Sequence, residues 1–131
     1  MPSASFAGIG KIKTLKGEVE IVRDGKAIKA KPGDELEQAD TVQTGPNSSV
    51  GIVFADKTRF SAGPRSSIEL TQFQFNASKR TQNAFHTKLK RGTLAITSGR
   101  IAKKSPNAMT VRTPATILGV RGTRFLVRVG S

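Results

Sequence analysis

Apolar and polar residues alternate along most of this chain, and the alternation has period two. Val19 and Ile21 oppose Glu18, Glu20 and Val22; Val50, Ile52 and Phe54 oppose Gly51, Val53 and Ala55. Phe85, Thr87 and Leu89 oppose His86 and Lys88; Met109, Val111 and Thr113 oppose Thr110 and Arg112; Phe125, Val127 and Val129 oppose Arg124, Leu126 and Arg128. Successive side chains of a strand point to opposite faces, so each run predicts a strand with one face in a core. In the last two runs the other face is largely basic. Ile68 and Leu70 share one parity and Phe73 and Phe75 the other, which predicts a bulge or bend near Thr71 and Gln72 if all four enter one core.

Turn signals separate these runs at short intervals: Asp24-Gly25, Pro32-Gly33-Asp34, Gly45-Pro46-Asn47, Asp56-Lys57, Gly63-Pro64, Arg91-Gly92, Ser98-Gly99 and Ser105-Pro106-Asn107. No amphipathic helical stretch of useful length exists, which excludes doubly wound α/β folds and helix-turn-helix readers. One helical turn is expected near the end, with Thr113 as its cap, Pro114 in the first helical position and Gly119 as its stop. Asn76 to Asn83 reads as a polar loop. The pattern Gly-x-(Val/Leu)-x-Ile occurs at Gly17 to Ile21 and again at Gly92 to Ile96, hinting at similar turn-to-strand units. The expected fold class is all-β, many short strands in a twisted solenoid-like domain or, alternatively, a β-sandwich. Residues 1–8 are expected as a flexible tail and 9–131 as one domain.

Composition narrows the picture. At 131 residues the chain is long enough to bury a core without metal or disulfide staples, and the absence of cysteine excludes disulfides, thiolate metal sites and thiol nucleophiles. No stretch reaches the roughly 20 apolar residues of a membrane-spanning helix, so no membrane insertion is expected. Met1 to Ala7 lacks the apolar core of a signal peptide but has the small residues found around cleavage sites, which fits an exported protein given without its leader.

Charge changes the picture more. The net charge is +13; the first 69 residues carry ten bases and nine acids, whereas residues 70–131 carry twelve bases and no acid. Such asymmetry points to an anionic partner: an acidic protein face, an envelope polymer, nucleic acid or lipid headgroups.

Seven blocks, in this order, carry a resemblance to a known family: Gly17 to Arg23, Pro32 to Leu36, Asp40 to Ser49, Ile52 to Thr58, Ser66 to Leu70, Leu89 to Leu94, and the terminal Thr113-Pro114-Ala115-Thr116 to Gly119-Val120-Arg121-Gly122-Thr123-Arg124-Phe125. With these the chain resembles the FecR domain family of iron-responsive sigma-factor regulators and other exported bacterial proteins. The resemblance implies the solenoid-like variant of the fold, a periplasmic or exported location, and a non-catalytic role in signal regulation. The anti-sigma segment, membrane helix and further C-terminal module of the family's regulators have no counterpart here, so the chain is expected to be an excised domain or a stand-alone member.

Arg121 lies between Gly119 and Gly122, with Thr123 and Phe125 completing the motif. Two readings stand for it: a fork for an anion or partner carboxylate, or an internal bond to Asp34, Asp40 or backbone carbonyls that fastens the terminal loop. Asp34, Asp40 and Asp56 sit beside turns and are too scattered for a calcium site. Arg121, Arg124, Arg128, Lys103 and Lys104 are the candidate contacts for an anion or partner. His86 is the only histidine. It is expected as an exposed spectator, so neither a His-based metal cluster nor a catalytic triad is indicated. No phosphate-binding glycine loop and no pair of convergent carboxylates with sugar-stacking aromatics occurs. No enzyme activity, no cofactor and no metal is expected. Nucleic-acid or anionic-glycan binding is the alternative function. It is disfavoured by the absence of Trp and Tyr, the aromatics on which single-strand readers stack bases.

Overall fold

The computed structural model describes residues 8–75, 83–101, 108–120 and 124–130. The expected loop at 76–83 falls outside them except for Asn83, and so does the tail apart from Gly8. The structure is all-β, a strongly curled sheet of twelve strands forming a half-barrel. The strands are β1 (Gly10–Lys16), β2 (Val19–Arg23), β3 (Lys26–Lys29), β4 (Glu35–Leu36), β5 (Thr41–Thr44), β6 (Ser49–Phe54), β7 (Arg59–Ala62), β8 (Ser67–Gln74), β9 (Ala84–Thr97), β10 (Met109–Arg112), β11 (Ile117–Gly119) and β12 (Arg124–Val129). Hydrogen-bonded neighbours follow the order β3-β2-β5-β8-β9-β7-β6-β1-β4.

The long strand β9 joins two walls. Its first half pairs with β8 and, in parallel, with β10, which in turn pairs with β11. Its second half pairs with β7 on one side and β12 on the other. Between the halves lies Gly92, with φ +95°, where an added Cβ would overlap Ser66. Only glycine takes that conformation at so little cost.

Three other chain passages cross at the same crease, and two of them repeat each other. Gly45-Pro46-Asn47-Ser48-Ser49-Val50 carries β5 into β6, and Gly63-Pro64-Arg65-Ser66-Ser67-Ile68 carries β7 into β8. Asn47 and Arg65 both adopt positive φ, 54° and 52°. The Ser48 hydroxyl accepts from the Glu18 N–H at 2.8 Å, next to Gly17 of the third passage, and the Ser66 hydroxyl accepts from the Thr93 N–H at 3.1 Å, next to Gly92. The recurring Gly-x-(Val/Leu)-x-Ile units are thus each anchored by the serine of a Gly-Pro-x-Ser turn. Thr44 adds a further tie, donating to the Gly63 carbonyl and accepting from the Ser66 N–H.

Away from the crease the walls close on aromatic rings. Phe54 and Phe60 from one wall meet Phe73 and Phe85 from the other, with centroid separations from 4.7 to 5.9 Å. Three of these pairs meet edge to face and two are stacked, and such pairs add about 1 kcal/mol each beyond burial. Phe73 reaches this cluster because the β8–β9 register shifts between Glu69 and Gln72, the irregularity that the change of parity predicts.

The expected helical turn after Thr113 does not form. Thr113 Oγ1 does accept from the Ala115 and Thr116 amides, as a cap would, but the turn closes the β10–β11 hairpin. The four residues between Pro114 and Gly119 are too few to repay helix nucleation, whereas β-branched Ile117 finds a ladder partner in Arg112. Among the described residues nothing lies within 4 Å of where a Cβ at Gly119 would be.

Candidate functional site

The three acids expected beside turns, Asp34, Asp40 and Asp56, each bond the backbone of their turn, by different means. Asp40, 1% exposed, accepts from the Glu37 N–H and takes a two-pronged bond from Arg23, Nε to Oδ1 at 2.9 Å and Nη2 to Oδ2 at 2.8 Å. Those bonds raise the Arg23 guanidinium further above its ordinary value than burial lowers it. Glu37 adds an ion pair at 3.4 Å. Asp34 accepts from the Lys31 N–H. Asp56 is fully buried, and its carboxylate accepts from the Thr58 N–H, the Thr58 hydroxyl and the Ile101 N–H. These carboxylates are spent on the fold. No three potential metal ligands converge among the described residues.

The solvent face of the wall β12-β9-β7-β6-β1 is different. Its register places Arg124 and Arg59 on either side of Thr97, since both are Cα partners of that residue. Neighbouring strands lie about 4.8 Å apart, so the two arginines stand roughly 10 Å apart across the ladder. The next row on this face runs Leu126, Ala95, Ser61, Gly51, Thr14. Arg128 follows opposite Thr93, and Lys13 stands at the β1 irregularity between Ile12 and Thr14. The floor is therefore lined by small side chains, with a hollow of about 230 Å³ beside Lys13 and Arg59. Among the described residues Lys13, Arg59, Arg124 and Arg128 have no hydrogen-bonding or ion-pair partner. Leu126 is 74% exposed and lies on β12, whose outer edge pairs with no strand among the described residues.

Of the candidate contacts, Arg124 and Arg128 thus project from one face, and Phe125 packs partly buried against the core from the opposite side of the same strand. Arg121, Gly122, Thr123, Lys103 and Lys104 lie outside the described residues. Asp40, one suggested partner for Arg121, already holds Arg23. Arg59 and Lys13 were not apparent from the sequence, and Leu126 was placed by parity beside Arg124 and Arg128 but not singled out as a contact. A parity argument over Arg59-Phe60-Ser61-Ala62 would have turned Arg59 outward, but only the ladder brings it beside Arg124. His86 departs from expectation: it is half-buried, and its Nδ1 lies 2.7 Å from Thr110 Oγ1.

No helix among the described residues is long and apolar enough to cross a membrane. The sequence profile of the family described as FecR protein matches residues 40–131, well over half of the chain. No curated protein and no solved structure matches it. The matched span begins at Asp40, so β1 to β4 lie before it although β1 and β2 pair within the same sheet.

Proposed function

The chain belongs to the FecR family, and from that premise we propose that it is a non-catalytic binding domain of signal regulation on the envelope side of the cell, whose basic wall recognises an acidic partner protein. The family is regulatory in kind, and the proposal adds the surface and the partner's chemistry. One observation carries it. Four cations with no partner among the described residues share a small-residue face that ends in exposed Leu126 on β12, whose outer edge pairs with no strand among those residues. A solvated cation is ordinary, but a face that combines unpaired charge, an apolar contact and unused backbone N–H and C=O groups has what strand addition by an acidic segment requires. Arg124 and Arg128 keep the role expected of them, and Arg59 and Lys13 join them. The proposal includes a periplasmic or exported location, which sets this face among envelope proteins and polymers.

Binding of an anionic polymer, nucleic acid or glycan, is the second reading, favoured by the same unpaired cations and the net charge of +13. The two differ in salt response, because binding dominated by counterion release falls steeply with salt while an interface with an apolar centre holds. The test is capture from envelope and soluble fractions on the immobilised chain, eluted stepwise with salt, beside a variant carrying Arg59→Glu, Arg124→Glu and Leu126→Ala. A discrete envelope protein that resists high salt and is lost by the variant is expected. Mixed nucleic acid or glycan released at moderate salt would instead support the second reading.

A further inference from the structure

The opposite wall holds a groove of about 480 Å³ on its solvent face, between β8, β9, β10 and β11. It shares no residue with the basic wall. Where β9 and β10 run parallel, Lys88 is the Cα partner of Arg112 and His86 the partner of Thr110. Lys88 and Arg112 are both exposed on the groove side of their strands, so two like charges stand directly opposite one another. Such a pair is destabilising unless an anion lies nearby.

The one acid in register is Glu69 of β8, the Cα partner of Lys88 on its other side. Its Oε1, however, is 3.6 Å from Lys90 Nζ. Neither Lys88 nor Arg112 has a hydrogen-bonding or ion-pair partner among the described residues. The His86 ring is held at the groove floor by its contact with Thr110, which engages Nδ1 and leaves Nε2 as the remaining polar atom of the ring. Ile117, the register partner of Arg112 and 54% exposed, borders the groove with an apolar side chain.

We propose that this groove binds an oxyanion, a carboxylate or a phosphoryl group, between Lys88 and Arg112. The guanidinium fork presents paired donors to two oxygens and the ammonium supplies a point charge. His86 is the adjacent polar contact, and Ile117 meets the apolar part of the ligand. Glu69 acts as a resident competitor that Lys90 holds aside, and this fixes the sign of its effect. Neutralising Glu69 strengthens binding, while neutralising Lys88 or Arg112 weakens it.

The experiment is a titration of the full chain at constant ionic strength, followed by backbone amide chemical shifts, with inorganic phosphate and, separately, with succinate. Saturable shifts concentrated at Lys88, Thr110 and Arg112 are expected. Lys88→Gln and Arg112→Gln, both surface changes that leave the amide spectrum folded, should each weaken binding about tenfold, the size of one lost charge-assisted contact. Glu69→Gln should tighten it roughly threefold, whereas Glu20→Gln, the same charge change on the same wall two strands away, should leave it unaltered. Saturation by phosphate alone assigns a phosphoryl ligand, by succinate alone a carboxylate, and by both a general oxyanion site. No saturable shift with either probe, shifts as large at Arg59 and Arg124, or equal tightening by Glu20→Gln would each overturn the proposal.

Discussion

The two walls of the half-barrel share strand β9 and one core, yet they treat charge in opposite ways. On the wall built by β2, β5 and β8, carboxylates lie among the bases: Asp40 holds Arg23, Glu69 holds Lys90, and Glu20 stands opposite Lys29. On the wall built by β12, β7, β6 and β1, Arg59, Arg124, Arg128 and Lys13 have no such partners among the described residues. The division does not follow the chain. Arg59 and Lys13 come from the half whose charges balance, and Lys90 and Arg112, from the half without acids, stand on the mixed wall. Composition along a β sequence therefore reports that charge is in excess, and the ladder decides where the excess is shown.

The largest change should come from breaking the crease that separates the walls. Gly92→Ala forces a side chain into a left-handed conformation and against Ser66, and is expected to cost about 3 kcal/mol in denaturant unfolding. Gly119→Ala, with nothing within 4 Å of its Cβ among the described residues, should cost less than about 0.5 kcal/mol. Equal losses at the two glycines would remove the crease from the account.

Next in size is the wall on which acids and bases mix. Arg23→Ala leaves Asp40 buried without its cation and should destabilise by about 2 kcal/mol, less than for a fully buried pair because Arg23 is partly exposed. Arg59→Ala on the other wall should change stability by no more than about 0.5 kcal/mol, since Arg59 has no partner among the described residues. Thermal or urea unfolding of the two variants side by side sharpens the contrast, and a similar loss from both would erase it.

The smallest stability effect and the clearest functional one are expected at the outer edge of β12. Leu126→Ala should leave the melting temperature within about 1 °C while weakening partner capture severalfold, because an exposed leucine contributes to binding and little to the core. A large drop in melting temperature would show that Leu126 is packed in solution.

Much of the fold was legible because period-two alternation is local: the buried faces of β2, β6, β9 and β10 follow it, as does the β8 irregularity. The crease was half legible. Gly17 and Gly92 stood out, but the serines that lock them lie 31 residues later in one case and 26 earlier in the other, so the repeated Gly-Pro-x-Ser turns gained meaning only through pairing. Thr113 misled because the same hydroxyl geometry that caps a helix also closes a tight turn. The candidate face was read in part, from Arg124 and Arg128 on one strand. Arg59 and the Lys88–Arg112 juxtaposition depend on strand order, which a single sequence does not encode locally.

The most direct test of the central claim is hydrogen–deuterium exchange of the chain, free and bound to the macromolecule it captures from the envelope. Protection on binding should concentrate in β12 and β7, with β2, β3 and β5 unchanged. Protection confined to β2, β3 and β5 would contradict the assignment of the basic wall as the recognition surface.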